Sequence, residues 1–130
     1  LLTPKFLSVV ETLSIHTRQL KKYGGTAGIR DEGLLESALA QPQATFGGEF
    51  LHATIYEQAA AYLYHLAKNH PFLDGNKRTA FAVMDTFLRV NGYRLLLTDE
   101  QAYTLVQEVV TGRISKTDLA ALLERSFSSC

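Results

Sequence analysis

Two helical stripes of apolar residues lie almost end to end in this chain, and they constrain the fold more than any other feature. Tyr56, Ala59, Leu63, Leu66 and His70 recur at alternating steps of three and four, the spacing that lines one face of a helix. A second stripe, Ala80, Met84, Phe87 and Leu88, widened by Phe81 and Val83, spans residues 76–91 and closes at Gly92, a residue suited to the position just past a helix. Only residues 71–75, Pro-Phe-Leu-Asp-Gly, separate the two. Pro71 disfavours the α conformation at the residue before it, and a break that short folds two helices into a hairpin. His70 reads as the last residue of the first inward-facing stripe.

The flanking segments supply more helices. Thr3-Pro4 reads as an N-cap and first helical residue, followed by a stripe of Phe6, Val9, Val10, Leu13, Thr17 and Leu20. Residues 24–28 form a glycine-rich turn. Asp31 caps a short helix carrying Leu34, Leu35, Ala38 and Leu39, which Gln41-Pro42 ends. Residues 41–51 break the periodicity, and Gly47-Gly48 turns either a small hairpin or an irregular loop. After an extended piece at 93–97, Thr98 caps a helix with Ala102, Leu105, Val106 and Val109 inward. Ser115 caps a last one with Leu119, Leu122 and Leu123. The expected fold is mainly α: one domain, residues 1–130, a helical bundle around a central helix–loop–helix. With 130 residues, 46% of them hydrophobic, one core is affordable and disorder is excluded. Thirteen basic residues balance thirteen acidic ones, so no net field draws the chain to nucleic acid or anionic lipid. No apolar run approaches the ~20 residues of a membrane span, and no secretory signal opens the chain. The single cysteine is Cys130, which leaves no internal disulfide and no cysteine-based zinc site. A soluble, cytoplasmic protein is expected.

Chemistry concentrates in residues 70–80, His-Pro-Phe-Leu-Asp-Gly-Asn-Lys-Arg-Thr-Ala. The free N–H groups of a helix start form an anion site, and Lys77 and Arg78 strengthen it. Gly75 lets a ligand approach the backbone. Asp74 is a hard oxygen ligand for a magnesium ion that also holds phosphate oxygens. His70 is of the type that takes a proton from an attacking hydroxyl. Taken singly, each has a plainer reading: a satisfied core histidine, a turn glycine, Asn76 as an N-cap, a solvated helix start. Cations at a helix N-terminus nevertheless oppose its dipole, and such a local cost often marks function.

His70-Pro71-Phe72-Leu73-Asp74-Gly75-Asn76-Lys77-Arg78 resembles the signature of the Fic/Doc superfamily, HxFx(D/E)GN(G/K)R, at every defined position. Lys77, where Fic adenylyltransferases usually carry glycine, resembles the Doc (death-on-curing) toxin branch, and residues 24–48 also look like the upstream region of Doc-type sequences. The resemblance implies that His70 is the catalytic base, that Phe72 packs into the core and fixes the loop, and that Asp74 holds Mg2+ on the phosphates. It further implies that Gly75, Asn76 and Lys77 build the anion hole and that Arg78 holds a phosphate. The lysine implies an inverted ATP pose, with transfer of the γ-phosphoryl group to a threonine of elongation factor Tu and arrest of translation. The implied setting is a type II toxin–antitoxin system in which a Phd-like antitoxin docks an amphipathic segment in a groove near the site.

Two other functions share these residues: AMP transfer to a target hydroxyl by an adenylyltransferase, and a non-catalytic antitoxin-binding or regulatory protein. Thr45-Phe-Gly-Gly-Glu49-Phe50 matches the (S/T)xxxE(G/N) inhibitory motif of self-restrained Fic proteins only in part, failing at Phe50 and lacking helical character. Its position upstream of the central helix instead corresponds to the family's flap for the target segment. His16, His52 and His65 share no metal spacing and read as structural or surface residues. Asp85 and Arg89 read as an i,i+4 surface pair.

Overall fold

A computed structural model describes residues 3–129; Cys130 lies outside them. Among the described residues the chain forms six helices, α1 (Val9–Tyr23), α2 (Glu32–Ala40), α3 (Ile55–Asn69), α4 (Asn76–Val90), α5 (Asp99–Val110) and α6 (Lys116–Arg125). Two small antiparallel ribbons join them, β1 (Thr45–Phe46) with β2 (Glu49–Phe50), and β3 (Tyr93–Leu95) with β4 (Phe127–Ser129).

The central hairpin is the pair α3–α4. Ala59, Ala60, Ala61, Tyr62 and Leu63 are all fully buried, so α3 is enclosed on nearly every side, as a helix apolar around its circumference must be. It packs against α2, α4, α5 and α6. From α4, Ala80, Val83, Met84, Phe87 and Leu88 face it and are likewise fully buried. Truncating Leu63 or Leu66 to alanine in such a core costs about 2–5 kcal/mol.

Side-chain caps fix most helix starts. Asp31 accepts from the Leu34 N–H at 2.9 Å, Thr98 and Gln101 form a reciprocal capping box, and Ser115 accepts from the Asp118 N–H. The irregular stretch before α3 resolves as a hairpin, with Thr45 opposite Phe50 across Gly47-Gly48.

The first helix departs from the expected start. Ser8 rather than Thr3 is its N-cap, in a capping box with Glu11. Residues before it run extended, because tertiary bonds hold them there: the Leu7 N–H donates to the Tyr62 hydroxyl at 2.8 Å, and Asn91 bonds both the N–H and the carbonyl of Lys5. The inward face therefore carries Thr12, Ile15 and His16, while Val9, Val10 and Thr17 are exposed.

Candidate active site

The loop between α3 and α4 takes its shape from Pro71. Helical continuation is barred at His70, which adopts a left-handed conformation (φ 50°, ψ 54°) as the C-cap of α3. It is the sole non-glycine residue at positive φ among those described. Histidine tolerates that region better than most residues. The turn swings its imidazole out of the core, so His70 is exposed and does not end the inward stripe.

Arg30 secures this conformation. Its Nε donates to the His70 carbonyl at 2.6 Å and its Nη2 to the Asn69 carbonyl at 2.8 Å, satisfying carbonyls that a helix end leaves free. The Nδ1 of His70 lies 3.1 Å from the Ala67 carbonyl. A carbonyl only accepts, so Nδ1 donates in that contact, and in the neutral ring the lone pair lies on Nε2.

Segment 26–31 runs beside the loop and pins it from end to end. Pro71 accepts from the Arg30 and Asp31 N–H groups, and Leu73 donates to the Gly28 carbonyl. Phe72 forms a bridge with Ile29 and is buried. His16 lies flat on the Phe72 ring, centroids 3.8 Å apart and planes within 8°, while its Nε2 donates to the Asp74 carbonyl at 2.8 Å. His16 thus supports the loop from below, a role that its spacing relative to the other histidines does not disclose.

Asp74 faces the same segment. Its Oδ2 accepts from the Thr26 N–H at 3.1 Å and its Oδ1 from the Gly75 N–H at 2.8 Å. These two backbone bonds, helped by the charges of Arg78 and His16, hold its carboxyl below the usual range. Gly25 makes the approach possible: a Cβ there would meet Asp74 Oδ2 at 2.8 Å, and its φ of 128° disfavours any side chain.

Asn76 is not an N-cap. Gly75, at φ 74°, occupies that position without a side-chain bond. Asn76 turns inward, accepting from the Phe72 N–H at 2.8 Å and donating to the Phe72 carbonyl at 2.9 Å. The backbone N–H groups of Asn76, Lys77 and Arg78 have no acceptor among the described residues. All the other helices carry an acid in the first turn and a capping side chain; α4 has neither. Its positive end is left bare, which is the arrangement that takes an anion. Lys77 is exposed, and Arg78 donates to the Gly24 carbonyl at 3.1 Å while its guanidinium lies 5.2 Å from the Tyr23 ring centre.

One loop thus brings together an outward imidazole, an ionised carboxylate, bare helix N–H groups and two cations. No group of three or more His, Cys, Asp or Glu residues that could enclose a metal occurs among the described residues. Asp74 alone suits a magnesium ion that takes its remaining ligands from phosphate and water.

The chain is 43% identical over 103 residues to Toxin Doc of Mycolicibacterium smegmatis, covering 78% of this chain and 79% of that protein. It is 34% identical over 125 residues to Protein kinase doc of Escherichia phage P1, covering 96% and 98%. The model of the Fic/DOC family matches residues 6–88, a span that starts just before α1 and contains the loop at 70–76, the start of α4 and the residues that pin them, and the chain belongs to that family.

Proposed function

We propose that this chain is the toxin of a toxin–antitoxin pair and a protein kinase that moves the γ-phosphoryl group of ATP to a threonine hydroxyl of elongation factor Tu. The observation that carries this reading is the bare start of α4, among the described residues the one helix with neither cap nor acid in its first turn, set beside Asp74. The names of the two relatives, a Doc toxin and a Doc protein kinase, support it.

In this reading the N–H groups of Asn76, Lys77 and Arg78 hold phosphate oxygens, and Arg78 adds charge where negative charge accumulates. A magnesium ion on Asp74 would neutralise part of the phosphate charge. His70 Nε2 takes the proton from the threonine hydroxyl as the new O–P bond forms and the bond to the β-phosphate oxygen breaks, with ADP leaving. Lys77, exposed at the second position of α4, is the residue that selects the γ-phosphoryl rather than the AMP group. The antitoxin segment would lie in the groove of about 480 Å3 that Leu13, Leu20, Gly25 and Ile29 line beside His16, where it also covers the loop.

The test uses purified protein, magnesium, elongation factor Tu and ATP labelled at the α or the γ phosphate. Label arriving from the γ position only, and lost in His70→Ala, is the expected result. Label from the α position would make the chain an adenylyltransferase. No transfer from either, by folded protein, would favour a binding role.

A further inference from the structure

A second cavity, of about 330 Å3, opens between α6 and the start of α3 and shares no lining residue with the loop around His70. His52, Tyr56, Glu57, Lys116, Thr117 and Glu124 are among its walls. Lys116, the first residue of α6, places Nζ 3.0 Å from Nε2 of His65. His52 is 7% exposed, and its Nδ1 has no hydrogen-bond partner.

The amine is unusual in what it lacks. The ion pairs among the described residues are Lys5–Glu11 and Asp85–Arg89, so Lys116 is half-buried without a carboxylate partner. The Tyr64 ring centre lies 6.0 Å from its Nζ. His65 and Tyr64 approach it from α3, and His52 from the preceding loop, Glu57 and Glu124 line the same cavity. Glu57 is engaged by the Thr54 hydroxyl at 2.8 Å, and Glu124 by Tyr56. Burial pushes the Lys116 amine below the usual lysine range. Burial, with the Lys116 charge added, pushes His65 down to about 4 and lowers His52 as well. An amine that is desolvated and has no carboxylate to hold its charge is activated as a nucleophile.

We propose that Lys116 is a modification site: a nucleophilic amine acylated by a small activated donor of the acyl phosphate class that enters this cavity, with His65 as proton acceptor. The neutral Nζ attacks the acyl carbon. The N–C bond forms, the C–O bond to phosphate breaks, and the surplus proton on Nζ passes by way of Nε2 of His65 to the departing phosphate. The product is a neutral amide, so the cavity loses its only lysine charge.

Folded full-length protein is treated with acetyl phosphate at neutral pH, and the acetylation rate of each lysine is followed by peptide mass spectrometry. Lys116 should react faster than exposed Lys21 and Lys22, and the rates should converge in urea. His65→Gln, which keeps an acceptor but cannot take up the proton, should bring Lys116 down to the exposed rate. The pH–rate profile of Lys116 in the unaltered protein should bend at lower pH than those of Lys21 and Lys22, a readout that does not depend on the variant folding. A Lys116 rate at or below the exposed lysines, or a profile that bends with theirs, overturns the proposal.

Discussion

His16 sits at the crossing of two supports for the loop, the flat stack on Phe72 and the bond to the Asp74 carbonyl. His16→Ala removes both, and it should cost about 2 kcal/mol of stability, the sum of lost packing and an unpaired carbonyl. Transfer activity should fall further than stability, because Asp74 and the α4 start lose their fixed geometry. Thermal melting and label transfer on the same preparation check this, and full activity in a folded His16→Ala protein would show that the loop holds itself. Gly25→Ala is expected to act through a different contact. A methyl group 2.8 Å from Asp74 Oδ2, on a backbone at φ 128°, should cost about 1–3 kcal/mol and weaken Mg-ATP binding in a calorimetric titration. Neither residue announces itself in the sequence. His16 makes its bond to a residue 58 positions away, and no local periodicity encodes that partner. His70, Asp74, Lys77 and Arg78 were legible because they fall within one short motif, while Arg30, Gly25 and His16 reach the same loop only through the tertiary fold.

Among the helices, α4 trades stability for an open end. An acid in a first helical turn is worth about 0.3–1 kcal/mol, and every other helix has one. Lys77→Glu should therefore raise the melting temperature while abolishing nucleotide binding; lower stability, or retained binding, would mean that the α4 start is not an anion site. The helices with a polar cap next to an apolar stripe, α2, α5 and α6, follow directly from the sequence, as do both helices of the central hairpin. The start of α1 does not. Thr3-Pro4 offers a sound local signal, yet Ser8 and Glu11 form a reciprocal box and Asn91 and Tyr62 hold the preceding residues extended. Long-range bonds decide between two acceptable local starts, and the face of α1 rotates accordingly. The end of α3 differs for a steric reason: Pro71 turns His70 outward just where the stripe would bring it in.

For the molecule as a whole, pH enters through the buried imidazoles. Unfolded His65 takes a proton near 6.5, whereas the folded chain holds it off until about 4. Between those values the unfolded state binds more protons, so stability falls as the pH drops through that window. His52, also lowered by burial, acts in the same direction. Asp74 and Glu11, both held below the usual carboxylate range, extend the decline to lower pH. The melting temperature should drop from pH 6.5 to about 4, less steeply in His65→Gln, and a flat profile in both would contradict the burial of these rings. The pinning of the 70–76 loop by residues 16–31 bears on the order in which the molecule assembles. Those contacts close over separations of 40 to 58 residues, so they form after the local α3–α4 hairpin. They rest in part on exposed bonds between side chains and backbone, which open at lower free energy than the core. A nascent chain thus acquires its helices before it acquires a competent site, and mild denaturant should silence the protein while its helical signal is still intact.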